Sequence, residues 1–499
     1  MTHLCARSVK FLAITLLAMT LAACVAVGPD YVPPQTASPA VWNADLQGGL
    51  KAGSLEPQDL AQWWRTLNDP VLSQLIAKAS AGNRDLAVSQ ARVREARARR
   101  GIAVAAWFPT LDAKAANTHT RSSAAGGGGG GGGAGVTREL YSAEFDAQWE
   151  IDLFGATRRS VEAASADLQA TSEQLHDVQV SLLAEVALNY VDVRTFQQRL
   201  IVAQRNLYSQ SQTYDIAGWR NQAGLGSALD TEQAKSALDQ VRAQLPSLRT
   251  GLAQALNRIA VLTGAAPGAV DALLTKPAPV PVTPPALVVG VPADVLRQRP
   301  DVRRAERQLA AQAARVGVAS AAQYPDLSLI GSIGVEALTA GKLFTTDARS
   351  SIFGANLVMP IFNGGRIRQN IAVQNALQEQ ALLTYESTVL TALQDVENAL
   401  VAYVQEQNRR DALRKAAASS QRASGLADVQ YESGLIDFQV VLNTQRSMLS
   451  AQDQLAVSEG EVTANLVRLY KALGGGWVST GANDQASLRE PHKELSHIK

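Results

Sequence analysis

A chain of 499 residues with a net charge of +1 is long enough for two or three ordinary domains, and it carries no bulk basic field for nucleic acid. Hydrophobic residues make up 46% but aromatics only 5%, so the apolar fraction is largely Ala, Val and Leu, a mix suited to long, closely packed helices. The five histidines show no ligand spacing, and neither a nucleophile signature nor a phosphate loop occurs, so no metal, cofactor or enzymatic activity is expected.

At the N-terminus, Arg7 and Lys10 precede an apolar run from Phe11 to Ala23. A bilayer crossing takes about 20 such residues, so this shorter run suits the core of a signal peptide. It ends in LAAC, Leu21 to Cys24, which resembles a bacterial lipobox. That motif implies a lipoprotein signal peptide over residues 1–23 and a covalent lipid on Cys24, S-diacylglycerol with N-palmitoyl. Each buried lipid methylene adds about 0.8 kcal/mol of anchoring. Cys5 leaves with the signal, so no disulfide is expected. Val25 rather than Asp follows Cys24, which under the sorting rule implied by the motif favours the outer membrane. Residues 24–67 are expected to form a lipid-anchored extended segment.

The stretch from Asp69 to Ala106 is rich in Ala, Arg, Leu and Glu and predicts one helix, ended by Pro109. A strand over Pro109–Thr120 follows. Beyond eight consecutive glycines, Gly126 to Gly133, Tyr141, Ala143, Phe145, Ala147, Trp149, Ile151 and Leu153 alternate with polar residues. Period two over this length predicts a strand with one apolar and one polar face. Such a strand fits a membrane barrel with a wet lumen, where a crossing takes about 9–11 residues. Glu144, Asp146, Glu150 and Asp152 would then face the lumen, and the glycine run would lie in an extracellular loop.

From Ala156 to Asn221 there is no Pro and one Gly. Val161, Leu168, Leu175, Val178, Leu182, Val186 and Val193 trace a near-heptad seam. The GLGS stretch at Gly224 reverses the chain, and a second helix returns to Leu262–Gly264. A Pro-rich linker over residues 276–292 is expected to be extended and semi-rigid.

Beyond it the pattern recurs. WFPTL at Trp107 matches QYPDL at Gln323, and NRDLAVSQA at Asn83 matches RPDVRRAER at Arg299, at an offset of 216 residues. DLFGATR at Asp152 matches PIFNGGR at Pro360 at 208, eight fewer, the length of the glycine run. AGLGS and LTG match SGLID and ALG at 210. The chain is therefore a tandem duplication of residues 68–275 and 293–474, with a polar tail over 475–499. Strands are expected at Pro325–Ala337 and Ser351–Phe362. A second long helix is expected from Ile367 to Glu432, with a seam at Leu383, Leu390, Leu393, Val396, Leu400 and Val404. The fold class is mainly α with a small β part, each repeat running helix, strand, strand, long helix, helix.

Four amphipathic strands cannot close a barrel, and open edges in lipid leave backbone groups unpaired. The polar lumen face requires water, so a trimer with twelve strands is expected, continuing into an α-helical barrel. Trp107, Phe108, Phe154, Tyr324 and Phe362 at the strand–helix junctions fit an interfacial aromatic belt.

The sequence resembles the TolC-type outer-membrane efflux proteins, in the lipoprotein branch often called NodT-like. The stretches that carry the resemblance are LAAC, WFPTLDA, QWEIDLFGATRR, the run from Leu296 to Gly334 with RPDVRRAE and YPDLSL, MPIFNGGRIRQN and YESGLIDFQVVLNTQRSML. The resemblance implies a trimeric tunnel through the outer membrane with a large periplasmic extension. Its implied partners are further copies of the chain, outer-membrane lipid, a periplasmic adaptor and an inner-membrane pump of the RND type. The implied cargo is drugs, toxic small molecules or metal ions. It also implies an adaptor-contacting, gated tip at Gly224, Gly226, Asp230, Tyr431, Gly434 and Asp437. Asp230 would supply a ring of charge, with Asn443 as its second-repeat counterpart. The basic partner that relatives sometimes carry five residues after the tyrosine is here Ile436, which leaves Arg220 as a substitute contact. Two other readings stay open: the same tunnel serving type I protein secretion with an ABC pump, and a periplasmic coiled-coil scaffold without a pore.

Overall fold

The computed structural model describes residues 26–34, 39–53, 57–121 and 137–477. The signal peptide, Cys24, the Gly126–Gly133 run and the tail beyond Trp477 lie outside the described residues. In chain order the elements are β1 (Leu50–Ala52), α1 (Pro57–Ala61), α2 (Pro70–Gly82), α3 (Arg84–Ala105), β2 (Thr110–Arg121), β3 (Thr137–Ile151), α4 (Ala156–Gln222), α5 (Ala228–Leu262), α6 (Asp271–Leu274), β4 (Leu287–Val289), α7 (Pro292–Gln298), α8 (Pro300–Ala321), β5 (Asp326–Ala337), β6 (Arg349–Val358), α9 (Arg366–Glu432) and α10 (Phe438–Ala472). They divide into two compact units.

The first unit comprises the described residues of Met1–Gln35 with Val93–Thr171 and Ala305–Tyr385. It holds an antiparallel sheet in the order β2-β3-β5-β6. The alternation along β3 continues across the sheet, because each register pairs residues of like face: Phe145 stands opposite Ala113 and Ile333, and Asp146 opposite Asp112 and Ser332. The apolar face is uncovered, with Leu111, Phe145, Ile333, Phe353 and Leu357 all exposed. β2 and β6 are the outer strands, and among the described residues neither pairs on its outer side.

Strand registers correct the repeat offset. Thr110 pairs with Gln148, and Asp326 with Val358, so the first strands are 216 residues apart and the second strands 210. The offset stays at 210 through the starts of α4 and α9. The span from β2 to β3 is therefore six residues longer than that from β5 to β6, not eight.

The second unit comprises Thr36–Arg92, Ser172–Arg304 and the described residues of Glu386–Lys499. Its core gathers Leu72, Leu75, Ile76, Leu183, Val186, Ile259, Val396, Leu400 and Leu466. Trp63 stacks on Tyr470, ring centroids 5.1 Å apart. The N-terminal segment is more than an extended tether: β1 pairs in parallel with β4 of the linker, and Trp42, Leu50, Leu60 and Trp63 are buried. Nor does the polar tail begin at Gly475. Gly476 donates to the Leu60 carbonyl at 3.1 Å, and Trp477 is buried against His176 at 4.3 Å.

Both long helices have 67 residues, about 100 Å at 1.5 Å per residue. The α4 seam is buried at Leu168, Leu182, Val186 and Val193. The α9 seam is buried only from Val396 onward; Leu383 and Leu390 are 57% and 67% exposed. Periodicity assigned them to a covered stripe, and among the described residues nothing covers it. The expected Asp69–Ala106 helix is two helices, broken at Asn83.

Candidate functional site

The hairpin tips join α4 to α5 and α9 to α10. At each, a left-handed glycine ends the long helix: Gly224 at φ 71° and Gly434 at φ 75°. The following amide reaches back along the helix, Leu225 to the Arg220 carbonyl at 2.7 Å and Leu435 to Gln430 at 2.9 Å. This is the glycine-terminated helix end that satisfies orphan carbonyls. Gly226 differs. Its φ is not positive, a Cβ there would lie 3.3 Å from that of Arg220, and Ile436 occupies the equivalent place. Leu225 and Leu435 project from the tips into solvent.

Tyr431 lies between the two hairpins. The Arg220 guanidinium sits 4.6 Å from its ring centroid and donates to its carbonyl at 3.2 Å, and Phe438 packs on the ring at 5.3 Å. The substitute contact expected from Arg220 is thus present. Burial pushes the Tyr431 hydroxyl up in pKa; Arg220 opposes this and Asp230 adds to it. Asp230 acts within its own helix start. Its carboxylate accepts from the Ser227 amide and the Ser227 hydroxyl accepts from the Asp230 amide, both at 3.1 Å. This capping box starts α5. Asp437 holds the equivalent N-cap position of α10 without a side-chain cap. The shared offset of the caps makes Val440, not Asn443, the counterpart of Asp230; Asn443 lies a turn further on and accepts from Gln439. Ser227→Ala is expected to speed amide hydrogen exchange in the first turn of α5 by roughly five- to tenfold, equivalent to ~1 kcal/mol of capping, while leaving α10 unchanged.

The strand carboxylates separate into different roles. Glu144, Asp146 and Glu150 share the polar face of β3. Asp146 is ion-paired with Lys114. Asp152 is not a free lumen charge, because its Oδ2 accepts from the Arg158 amide at 2.8 Å in the turn that begins α4. By register Asp112, Asp326 and Glu336 join the same face. Among the belt aromatics, Phe154 stacks on Tyr324 at 4.8 Å, and the Trp107 carbonyl accepts from the Trp149 indole at 3.0 Å.

The segment just after Cys24 is fixed to this junction. The Val27 amide donates to the Phe154 carbonyl at 3.0 Å. Arg159, its side chain 5% exposed, donates to the Val27 and Gly28 carbonyls and pairs with Asp30 at 2.7 Å and Glu162 at 2.8 Å. Gly28 has φ 96°, and a Cβ there would fall 2.5 Å from the Gly317 Cα, so only glycine fits. A second feature missed in the sequence is the pair of helix breaks at Asn83 and Arg299. The Asn83 side-chain amide donates to the Leu262 carbonyl at 2.9 Å, and Arg299 donates to the Ala472 carbonyl at 3.0 Å. These are equivalent bonds in the two repeats. Their signals are local: Asn favours an N-cap, and Pro300 restricts the residue before it.

The family model described as outer membrane efflux protein matches residues 75–265 and 291–475. Nodulation protein T of Rhizobium leguminosarum bv. viciae is 32% identical over 474 residues, 94% of each chain. The toluene efflux pump outer membrane protein TtgF of Pseudomonas putida is 31% identical over 476 residues, 92% of this chain and 96% of that one. The solved structure of the outer-membrane channel OprN has a TM-score of 0.84 and 35% identity, covering 90% of this chain and 99% of that one. With both repeats matched by the family model and similarity along almost the whole chain, this protein belongs to the outer membrane efflux protein family.

Proposed function

We propose that this outer-membrane efflux channel is the exit duct of a tripartite pump, built from three copies that share one twelve-stranded barrel and one α-helical barrel. The observation that carries the reading is the sheet of β2, β3, β5 and β6, with one exposed apolar face, one charged face and two unpaired outer edges. In hydrocarbon each unpaired backbone group costs several kcal/mol. Pairing β6 of one copy with β2 of the next removes both edges. The exposed stripe of Val373, Leu377, Leu383 and Leu390 on α9 fits the same packing, for its first-repeat counterpart on α4 is covered by α8 through Arg303–Glu173 and Arg315–Asp167 pairs.

In this reading lipid on Cys24 anchors the chain in the outer membrane. The tips at Gly224, Gly226, Gly434 and Asp437 receive a periplasmic adaptor, and Arg220, Tyr431 and Asp230 form the gate beneath. An inner-membrane pump of the RND type supplies the energy, and the duct itself performs no catalysis. Similarity to a toluene efflux component supports small apolar or amphipathic cargo. Purified protein in detergent is expected to run as a trimer and to form ion-conducting channels in planar bilayers. A stable monomer without conductance would overturn the duct.

A further inference from the structure

We propose that Lys114 is the resident counter-ion of the barrel wall and sets the charge selectivity of the pore, an inference that rests on the duct reading above. Lys114 lies on the polar face of β2, directly opposite Glu144 in register, and forms its ion pair diagonally with Asp146. Asp146 in turn stands opposite Asp112. On the other flank of β3, Ser332 faces Asp146 and Gly334 faces Glu144, so β5 supplies no cation there. Three carboxylates at the middle of the sheet thus share one ammonium. The remaining charges of this face lie toward the strand ends: Glu150 and Asp326 at one, Arg138 and Glu336 at the other.

Like charges placed directly across a strand pair repel, and Asp112 opposite Asp146 is such a pair. The Lys114 ammonium screens it from the diagonal position. Around a trimeric lumen, three such clusters form a ring in which each tethered ammonium occupies the place a mobile cation would take. A ring of carboxylates favours cations, and grouped carboxylate oxygens are the ligands that divalent cations prefer. Lys114 therefore moderates cation preference and keeps divalent ions from lodging in the wall.

The test is the reversal potential of single channels in a KCl gradient, followed by titration with MgCl2. Lys114→Gln is expected to raise the cation-to-anion permeability ratio at least about threefold and to lower the magnesium concentration for half-block about tenfold. Lys114→Arg should match the unaltered channel, as should Lys342→Gln in the connection between β5 and β6. Adding Asp112→Asn to Lys114→Gln should reverse most of the magnesium effect. If Lys114→Gln fails to assemble, Lys114→Cys labelled in the bilayer provides the same contrast: a cationic methanethiosulfonate should restore ordinary selectivity and an anionic one should exaggerate the change. Selectivity and magnesium response unchanged in Lys114→Gln, or equal under both labels, would overturn the role of Lys114. Absence of conductance in the unaltered protein would defeat the duct reading itself, and this inference with it.

Discussion

Proline at Ala115 and Asn117 together, or at Ala116 and Thr118 together, is expected to abolish the trimer and its conductance. The chain alternates along β2, so residues of one parity direct their backbone N–H toward β3 and those of the other toward the free edge. Proline removes the donor in either case. One pair of substitutions attacks the β2–β3 ladder, in which Ala115 pairs with Ala143 and Ala116 with Ser142. The other leaves that ladder intact and removes two donors from the seam with the next copy. Each orphaned acceptor in hydrocarbon costs several kcal/mol, and threefold symmetry repeats the loss at every seam. Cross-linking in detergent reads the oligomer, and circular dichroism reads the helices, which neither pair should disturb. If either proline pair still forms conducting trimers while the other does not, only the β2–β3 ladder matters and β2 is not a seam between copies.

The readability of this architecture from sequence varies with the range of the interaction. The β3 strand is legible because its alternation is a property of adjacent residues, and α4 and α9 because proline and glycine are almost absent from them. Gly224 and Gly434 mark the tips for the same local reason. The break at Asn83 leaves only a faint local signal, Gly82 followed by an Asn able to cap, because its deciding bond runs to the distant carbonyl of Leu262. The partner of Asp146 is hidden because Lys114 lies on another strand, and only the register brings them together. Asp152 and Asp230 read in the sequence as lumen and gate charges, yet both hold helix starts. Leu383 and Leu390 show the limit of periodicity, which identifies an apolar stripe and not the surface that covers it.

Arg299→Met is expected to cost about 3–5 kcal/mol of stability at neutral pH, the penalty for stranding a buried charge pair. Arg299 is nearly enclosed, and it makes four contacts to three helices: it pairs with Asp301 of α8 at 2.6 Å and Asp395 of α9 at 3.0 Å, and it donates to the carbonyls of Ala392 in α9 and Ala472 in α10. Methionine fills similar space but satisfies none of these groups. Lysine should recover only part of the loss, because a point charge cannot reproduce the forked geometry. Burial disfavours the charge on Asp301, but the hydrogen bonds and charge of Arg299, with the Val302 amide, outweigh it and hold the carboxyl below its usual pKa. A depressed carboxylate contributes stability that is present above the unfolded value, about 3.9, and is lost as pH falls through the lower folded value. The difference between Arg299→Met and the unaltered protein should therefore be largest near pH 7 and smaller at pH 3, where an Asp301 left without its cation in the variant can relieve its burial by taking up a proton. Asp177, which with Arg299 lines a cavity of about 430 Å³, behaves in the opposite sense: burial raises its pKa, so its ionisation as pH rises costs stability. Thermal unfolding followed by circular dichroism at the two pH values separates the outcomes: a deficit that stays constant with pH would mean that Arg299 acts through packing and its carbonyl bonds alone. The equivalent substitution in the first repeat, Asn83→Ala, removes a neutral cap and should cost only about 1 kcal/mol, with no dependence on pH across this range. The two repeats thus use one backbone junction, but only the second ties it to titratable charge.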